Sequence, residues 1–160
     1  MDSPADDPAL VPTEPAEQLS TVDGLAQLSF LTLGLLERRA GDQAISIIQT
    51  RLLGVLRDRT PTMNELATLL GLDKSSATGL VDRAERRGLV TRVPSSSDRR
   101  VVLVDLTDAG RALVAEVAAG FEADVATLLE RLSPADRSSL TRLVSRLLVA
   151  QAAANGVDLF

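Results

Sequence analysis

The feature that most constrains the fold is a change of apolar spacing in the middle of the chain, from helical to alternating and back. A short helix is predicted over residues 62–70, because Thr62 and Glu65 have the spacing of a capping box. Gly71 supplies a turn, and a second helix is predicted over residues 73–87. These two helices and their glycine turn are typical of a helix–turn–helix.

Two segments rich in β-branched residues follow the second helix. Leu89–Val93 and Arg99–Leu106 alternate between apolar and polar residues, and the turn-forming segment Pro94–Asp98 joins them. They predict a β-hairpin. Thr107 is then the predicted N-cap of a long helix, in which the apolar residues return to helical spacing. Helix, turn, helix and hairpin in this order predict a mainly α, α+β fold, a winged helix–turn–helix with a two-stranded wing.

The charge is unevenly distributed. The whole chain has a net charge of −5, but residues 73–100 contain seven basic and four acidic residues, a net +3. A basic segment within an acidic protein indicates a site for a polyanion. A solvated charged surface is the alternative.

The second predicted helix has an apolar stripe and a polar face. The stripe consists of Ala77, Leu80, Val81 and Ala84. The opposite face carries small polar residues and arginines, which suit a DNA major groove, and its first turn offers free N–H groups to a phosphate. The residues of this helix that we predict to contact DNA are Lys74, Ser75, Ser76, Thr78, Gly79, Arg83 and Arg86.

The hairpin is predicted to read a minor groove. Arg92, Arg99 and Arg100 flank its short Pro- and Ser-rich tip, and Arg99 and Arg100 are the predicted DNA contacts. On an extended strand Asp98 and Arg100 point to the same side, so we expect Asp98 to hold the Arg100 guanidinium. Asp82 on the helix is expected to brace another arginine. A generic charged hairpin with weak ion pairs is the alternative.

The remaining residues predict helices that a winged domain does not need. A helix from Ala16 to about Arg39 is apolar on nearly every side, which predicts burial on several faces, and Gly41 and Asp42 are expected to end it. Ser46 caps the next helix, to about Arg59, which belongs to the winged domain. Two long helices follow, to about residue 132 and, after Ser133 and Pro134, to about residue 154. The excess apolar surface predicts a subunit interface, with a single larger monomeric core as the alternative.

We therefore divide the chain into parts by composition and pattern. The parts are a disordered, acidic and Pro-rich tail over 1–15, a helical dimerisation region over 16–45 and 108–154, a winged helix–turn–helix over 46–107 and a tail over 155–160.

The basic segment and its flanks resemble MarR-family transcriptional regulators. The matching stretches are 72–76, 80–83 and 87–90 for the recognition helix, 98–100, 104–107 and 110–111 for the wing and its exit, and 47–49 and 52–53 for an earlier helix. The resemblance implies an obligate homodimer with intertwined terminal helices. Each winged domain would read half of a pseudo-palindrome, a ligand or other signal would release the DNA, and Arg100 would enter the minor groove.

Two residues depart from the family pattern. Gly79 stands where the family has a larger residue, and Ala84 replaces a leucine. The first puts one base contact in question and the second predicts thinner packing under the helix. The chain also lacks the cysteines and histidines of the oxidant- and metal-sensing branches.

The composition excludes most other classes of protein. Without Cys or His the chain lacks thiol nucleophiles, the usual zinc ligands and the commonest general base, so we expect no enzyme, metal or cofactor. The acidic N-terminus is not that of a signal peptide, and no apolar run reaches about 20 residues, so we expect a cytoplasmic protein without membrane contact.

The leading hypothesis is a homodimeric repressor that binds double-stranded DNA and responds to a small organic effector. The effector is expected between the helical region and the winged domain, with Phe30, Leu33 and Arg51 as conceivable lining residues. The alternative is a winged-helix module for protein–protein contact without DNA binding.

Overall fold

The computed structural model describes residues 19–96 and 98–155, so the predicted tail over 1–15 lies outside the described residues, as do residues 156–160. The described part contains six helices and one two-stranded antiparallel sheet. The elements are α1 (Thr21–Asp42), α2 (Ile47–Asp58), α3 (Met63–Leu70), α4 (Lys74–Arg86), β1 (Val90–Pro94), β2 (Val102–Leu106), α5 (Asp108–Leu129) and α6 (Pro134–Asn155). This architecture confirms the predicted fold class.

The helices of the winged part begin where the sequence predicts. Thr62 and Glu65 form a complete capping box before α3, and Ser46 forms a second one with Gln49 before α2. α3 ends at Gly71, whose φ of 66° lies in the left-handed region that favours glycine. These local signals define the turn between α3 and α4.

The wing strands differ from their predicted bounds. β1 and β2 pair antiparallel from Val90 opposite Leu106 to Pro94 opposite Val102, so the prediction that the second strand starts at Arg99 is wrong. The Val101 amide donates to the Asp98 carbonyl over 2.9 Å, which closes a turn instead of extending the strand.

The core lies where α2, α3 and α4 meet the wing. Its largest fully buried side chains are Leu52, Leu53, Leu56, Leu66, Leu80, Val81, Val90 and Val104. The Val104 amide also donates to the Pro61 carbonyl over 2.9 Å, which fastens β2 to the start of α3. The wing is therefore part of the same packed unit as the recognition helix.

The end of α1 departs from the prediction that Gly41 and Asp42 break the helix, because both lie within it. The Ala44 amide donates to Gly41 and the Ile45 amide to Ala40, the two bonds of a Schellman motif. Ala44 takes the left-handed position of that motif, with a φ of 53°.

The C-terminal half of α1 packs on α5. Arg39 donates to both carboxylate oxygens of Asp124 at 2.8 and 2.6 Å, and this pairing holds the pKa of the Asp124 carboxyl below its usual range. Gln43 donates to Glu116 over 2.6 Å. Polar side chains thus join the two helices beside their apolar contact.

The N-terminal half of α1 and the whole of α6 leave large apolar side chains exposed. Only Ala40 is buried in α1, and in α6 none of residues 134–154 is buried. Within the single chain, α1 is thus not buried on several faces, and the two helices do not join one larger core. The subunit interface stays a prediction. Within the described ranges, no helix has the length and apolar character to cross a membrane.

Candidate nucleic-acid interface

The recognition helix α4 is anchored by its apolar stripe. The four stripe residues are at most 1% exposed, as the helical spacing predicts: Ala77, Leu80, Val81 and Ala84. Ala84 is buried although it is small. The opposite face points to solvent, and its two arginines, Arg83 and Arg86, are exposed. The helix therefore presents its polar face outward on a rigid base.

The first turn of α4 already holds a carboxylate. Ser75 and Ser76 each donate a hydroxyl proton to Asp73 over 2.6 Å, and the Ser76 amide donates to it over 2.9 Å. These hydrogen bonds hold the pKa of the Asp73 carboxyl well below its usual range. The serine hydroxyls are thus committed as donors within the protein, and Lys74 is the exposed donor of this turn. Phosphate binding at this turn stays a prediction.

The middle of α4 is shaped by Gly79. A β-carbon built at Gly79 would lie 3.4 Å from the Arg83 Nη1 atom, so the guanidinium lies back over the glycine. Thr78 donates its hydroxyl proton to the Lys74 carbonyl over 2.8 Å. Because Gly79 has no side chain, another surface can approach the backbone of this stretch of the helix closely.

Arg92 is not a free wing cation. From β1 its guanidinium donates to Asp82 over 2.6 Å and also to Glu85, both on α4. The expectation that Asp82 braces an arginine is confirmed. Asp82 and Glu85 lie three residues apart on one helix face, so one guanidinium bridges them. This contact joins the wing to the recognition helix.

The wing tip places Asp98 differently from the prediction. Asp98, Arg99 and Arg100 lie in the turn before β2, not on an extended strand, and the Asp98 carboxylate accepts from the Arg100 backbone amide over 2.9 Å. The prediction that Asp98 holds the Arg100 guanidinium is therefore wrong, because the Asp98 carboxylate accepts a hydrogen bond from the backbone of the turn instead. The guanidinium groups of Arg99 and Arg100 are exposed.

The seven basic residues of the segment 73–100 fall into two groups. In the described part of the chain, five bases on α4 and the wing tip are exposed and have no ion-pair partner: Lys74, Arg83, Arg86, Arg99 and Arg100. Arg92 is paired with acidic residues, and Arg87 donates to backbone carbonyls at Gln43 and Ala44. All five exposed bases are among the predicted DNA contacts.

A second feature is a cavity of about 280 Å³ between the helical region and the winged domain. Its lining is mostly aliphatic, from α1, α2 and α5 together with Ile45, and it includes Phe121 and the arginines Arg51 and Arg57. Of the three conceivable lining residues only Arg51 lines it, because Phe30 and Leu33 lie on the exposed face of α1. Helical spacing does not show which face of a uniformly apolar helix turns toward a cleft, so the sequence did not identify the lining.

Comparisons with known proteins agree with this geometry. A model of the MarR family matches residues 45–101. The HTH-type transcriptional repressor NicR of Pseudomonas putida is 36% identical over 81 residues, which cover 50% of this chain and 51% of NicR. This chain thus spans about half the length of that relative.

Two solved structures extend the likeness over most of the chain. RV1404 of Mycobacterium tuberculosis is 31% identical with a TM-score of 0.70 and covers 88% of this chain and 98% of its own. NadR in complex with 4-hydroxyphenylacetate is 26% identical with a TM-score of 0.64 and covers 86% of this chain and 97% of its own. The chain belongs to the MarR family, whose members are transcriptional regulators and not enzymes.

Proposed function

We propose that the chain is a sequence-specific transcriptional repressor. Two copies bind a pseudo-palindromic operator, and a small organic molecule releases it. One observation carries the proposal: of the seven bases in residues 73–100, five are exposed on α4 and the wing tip without an ion-pair partner, whereas Arg92 is paired with acidic residues of α4. A helix with short polar residues and arginines suits a major groove, and an arginine at a wing tip suits a minor groove.

The binding test uses the full chain and DNA selected from genomic fragments. We expect specific retardation of one fragment, with an affinity that falls steeply with salt, because phosphate contacts release counterions. Arg83→Ala should weaken binding, whereas Arg131→Ala, which removes the same charge at the exposed α5–α6 junction, should not. If no fragment binds specifically at moderate salt, the proposal fails and a protein–protein role takes its place.

The homodimer is supported by α6. Leu143, Leu147 and Leu148 are 50–57% exposed in the single chain, an arrangement that favours burial against a second copy. A dimer also places two recognition helices on half-sites about one DNA turn apart. Light scattering on wild type should give twice the mass of one chain. Leu147→Glu should give one chain mass, and Arg142→Glu, on the opposite face of α6, should leave the dimer intact.

The effector is proposed to occupy the cavity. An aliphatic lining with Arg51 fits a molecule with an apolar body and a negative group, whereas Arg57 is already paired with Asp58 over 2.8 Å. The NadR ligand has this chemistry, so 4-hydroxyphenylacetate and related aromatic carboxylates are the first probes. We expect release of DNA by a member of this class, weakened by Arg51→Gln. Release by mild peroxide and its reversal by a thiol reductant would contradict this view, since the chain has no cysteine.

A further inference from the structure

Arg87, at the end of the recognition helix, contacts a distant part of the chain. Its side chain reaches the connection between α1 and α2, where Nη1 donates to the Ala44 carbonyl over 2.8 Å and Nη2 to the Gln43 carbonyl over 3.5 Å. These carbonyls directly follow α1, at the negative end of its dipole, where a cation is favoured. In the described part of the chain, no other side-chain hydrogen bond joins α4 to this connection.

The connection is strained at the residue that Arg87 contacts. Ala44 has a φ of 53°, a conformation that a β-carbon disfavours and for which glycine is preferred at this position of a Schellman motif. Such a conformation persists where its surroundings hold it in place. Here the surroundings include the Arg87 guanidinium on one side and the Gln43–Glu116 hydrogen bond to α5 on the other.

The same connection borders the cavity. Ile45, the next residue, is 6% exposed and lines the cavity together with Leu36 of α1 and Leu53 of α2. A molecule that enters the cavity therefore contacts the residue beside the strained alanine. Cavity, connection and recognition helix are thus physically contiguous through Ile45, Ala44 and Arg87.

From this contiguity we infer that Arg87 and the Gln43–Ala44 connection transmit occupancy of the cavity to the recognition helix. The inference rests on the proposed function, because it gives that function its route of regulation. When the cavity is filled, displacement of Ile45 moves Ala44 out of its left-handed conformation, and the carbonyl withdraws from Arg87. The C-terminal end of α4 then loses a contact that fixes its position.

The test fills the cavity by mutation and so needs neither effector nor DNA. Gly54 lines the cavity, and a β-carbon built there meets nothing within 4 Å, so Gly54→Leu adds a side chain without a clash of its β-carbon. Ala118→Leu fills the cavity from α5 and serves if the first variant does not fold. The measurement is amide hydrogen exchange of the full chain at residues 43–46 and 84–89.

With Arg87 present, filling should raise exchange at both segments by about fivefold or more, the lower end of coupling between two protein sites. With Arg87→Gln, filling should still raise exchange at 43–46 but change that at 84–89 by less than about twofold. An equal response at 84–89 in both backgrounds, or no response there with Arg87 present, overturns the inference.

Arg137 provides a matched control. Its guanidinium also donates to two backbone carbonyls at a helix end, those of Leu132 at 3.0 Å and Glu130 at 3.2 Å. These carbonyls lie at the C-terminal end of α5. Arg137→Gln should leave the response at 84–89 intact. If Arg137→Gln abolishes it as Arg87→Gln does, the effect is general loss of stability and the inference fails.

Operator affinity supplies the second readout. Gly54→Leu should weaken binding by about fivefold or more in the wild-type background and by less than about twofold in the Arg87→Gln background. Additive effects contradict the relay while leaving DNA binding intact. Absence of specific binding by the wild type instead contradicts the proposed function, and the exchange experiment still decides the relay.

Discussion

Arg92 on the first wing strand donates to Asp82 on the recognition helix over 2.6 Å, and the same guanidinium also contacts Glu85. This side chain thus links the wing to the helix beside their shared core, and its guanidinium is already paired with acidic residues. Ion pairs at such exposure add about 0–1 kcal/mol to stability. In the proposed complex with DNA we expect them to act on geometry, because the angle between wing and helix would determine whether both fit adjacent grooves.

The double variant Asp82→Asn with Glu85→Gln separates geometry from charge. It makes the protein two charges more positive, so electrostatics alone predicts tighter DNA binding. Loss of the Arg92 contacts predicts weaker binding, and we expect the second effect to prevail. The measurement is operator affinity at several salt concentrations, together with the melting temperature.

The control for this double variant is Asp105→Asn with Asp108→Asn, which makes the same charge change after the wing tip. We expect it to bind as tightly as wild type or tighter. If both double variants bind more tightly, Arg92 has no positioning role.

Arg86 and Arg100 should contribute different kinds of recognition. Arg86 is exposed on α4, so Arg86→Ala should cost on the order of 1–3 kcal/mol of operator binding and relax discrimination at one base pair. Arg100 lies at the wing tip, so Arg100→Ala should weaken binding with loss of discrimination confined to A·T-rich flanks. Binding series on wild-type and point-mutated operators measure both effects. Normal binding by Arg100→Ala would show that the wing does not contact DNA.

Asp98 should act through the backbone of the tip. Its carboxylate accepts from the Arg100 amide over 2.9 Å, a bond that an asparagine side chain also makes. Asp98→Asn should therefore bind DNA at least as well as wild type, and Asp98→Ala should bind less well because the turn loosens. A fluorescence titration on the operator compares the two. Equal loss in both variants would mean that the charge, and not the turn, matters.

Local signals in the sequence predicted much of the winged part. Thr62 and Glu65 mark a helix start, and Gly71 marks a turn, because each effect is decided within a few residues. The wing tip was not predictable in this way, since an alternating pattern does not show that the Asp98 carbonyl closes a turn. The left-handed Ala44 also has no local signal, because the Schellman position that it occupies usually holds a glycine.

The exposed apolar face of α6 was not predictable from the sequence for a different reason. Periodicity predicts that Leu143 and Leu147 are buried somewhere, but not against which chain. The same limit applies to the cavity, whose lining depends on how α1, α2 and α5 pack. Helices and their caps can therefore be predicted from the sequence, whereas the packing of these elements against one another requires the structure.

Replacing Gly79 should raise the stability of the protein and weaken operator binding. A β-carbon at this position would meet only the end of the flexible Arg83 side chain, at 3.4 Å, so Gly79→Ala should stabilise the protein by up to about 1 kcal/mol. If DNA lies close to this part of α4, the added methyl group should weaken operator binding severalfold. Thermal unfolding and operator titration of the same sample measure the two effects. Greater stability with unchanged affinity would remove Gly79 from the interface.

Replacing Gly110 should instead lower stability, because Gly110 lies at the start of α5, where this helix packs against the wing. A β-carbon there would be 3.0 Å from the Leu89 carbonyl carbon and 3.2 Å from Leu106 Cδ2, and it would overlap the Leu89 carbonyl oxygen. The backbone cannot yield easily, since Thr107 donates to Leu89 over 3.1 Å through its amide and to Gly88 over 2.6 Å through its hydroxyl.

Gly110→Ala should therefore destabilise the protein by about 1–3 kcal/mol, the usual cost of overpacking. The matched control is Gly54→Ala, also a glycine within a helix, whose added β-carbon meets nothing within 4 Å and should raise stability slightly. Urea unfolding followed by circular dichroism compares the free energies of unfolding of the two variants. If Gly110→Ala is as stable as Gly54→Ala, the close approach of α5 to Leu89 is not a feature of the folded protein.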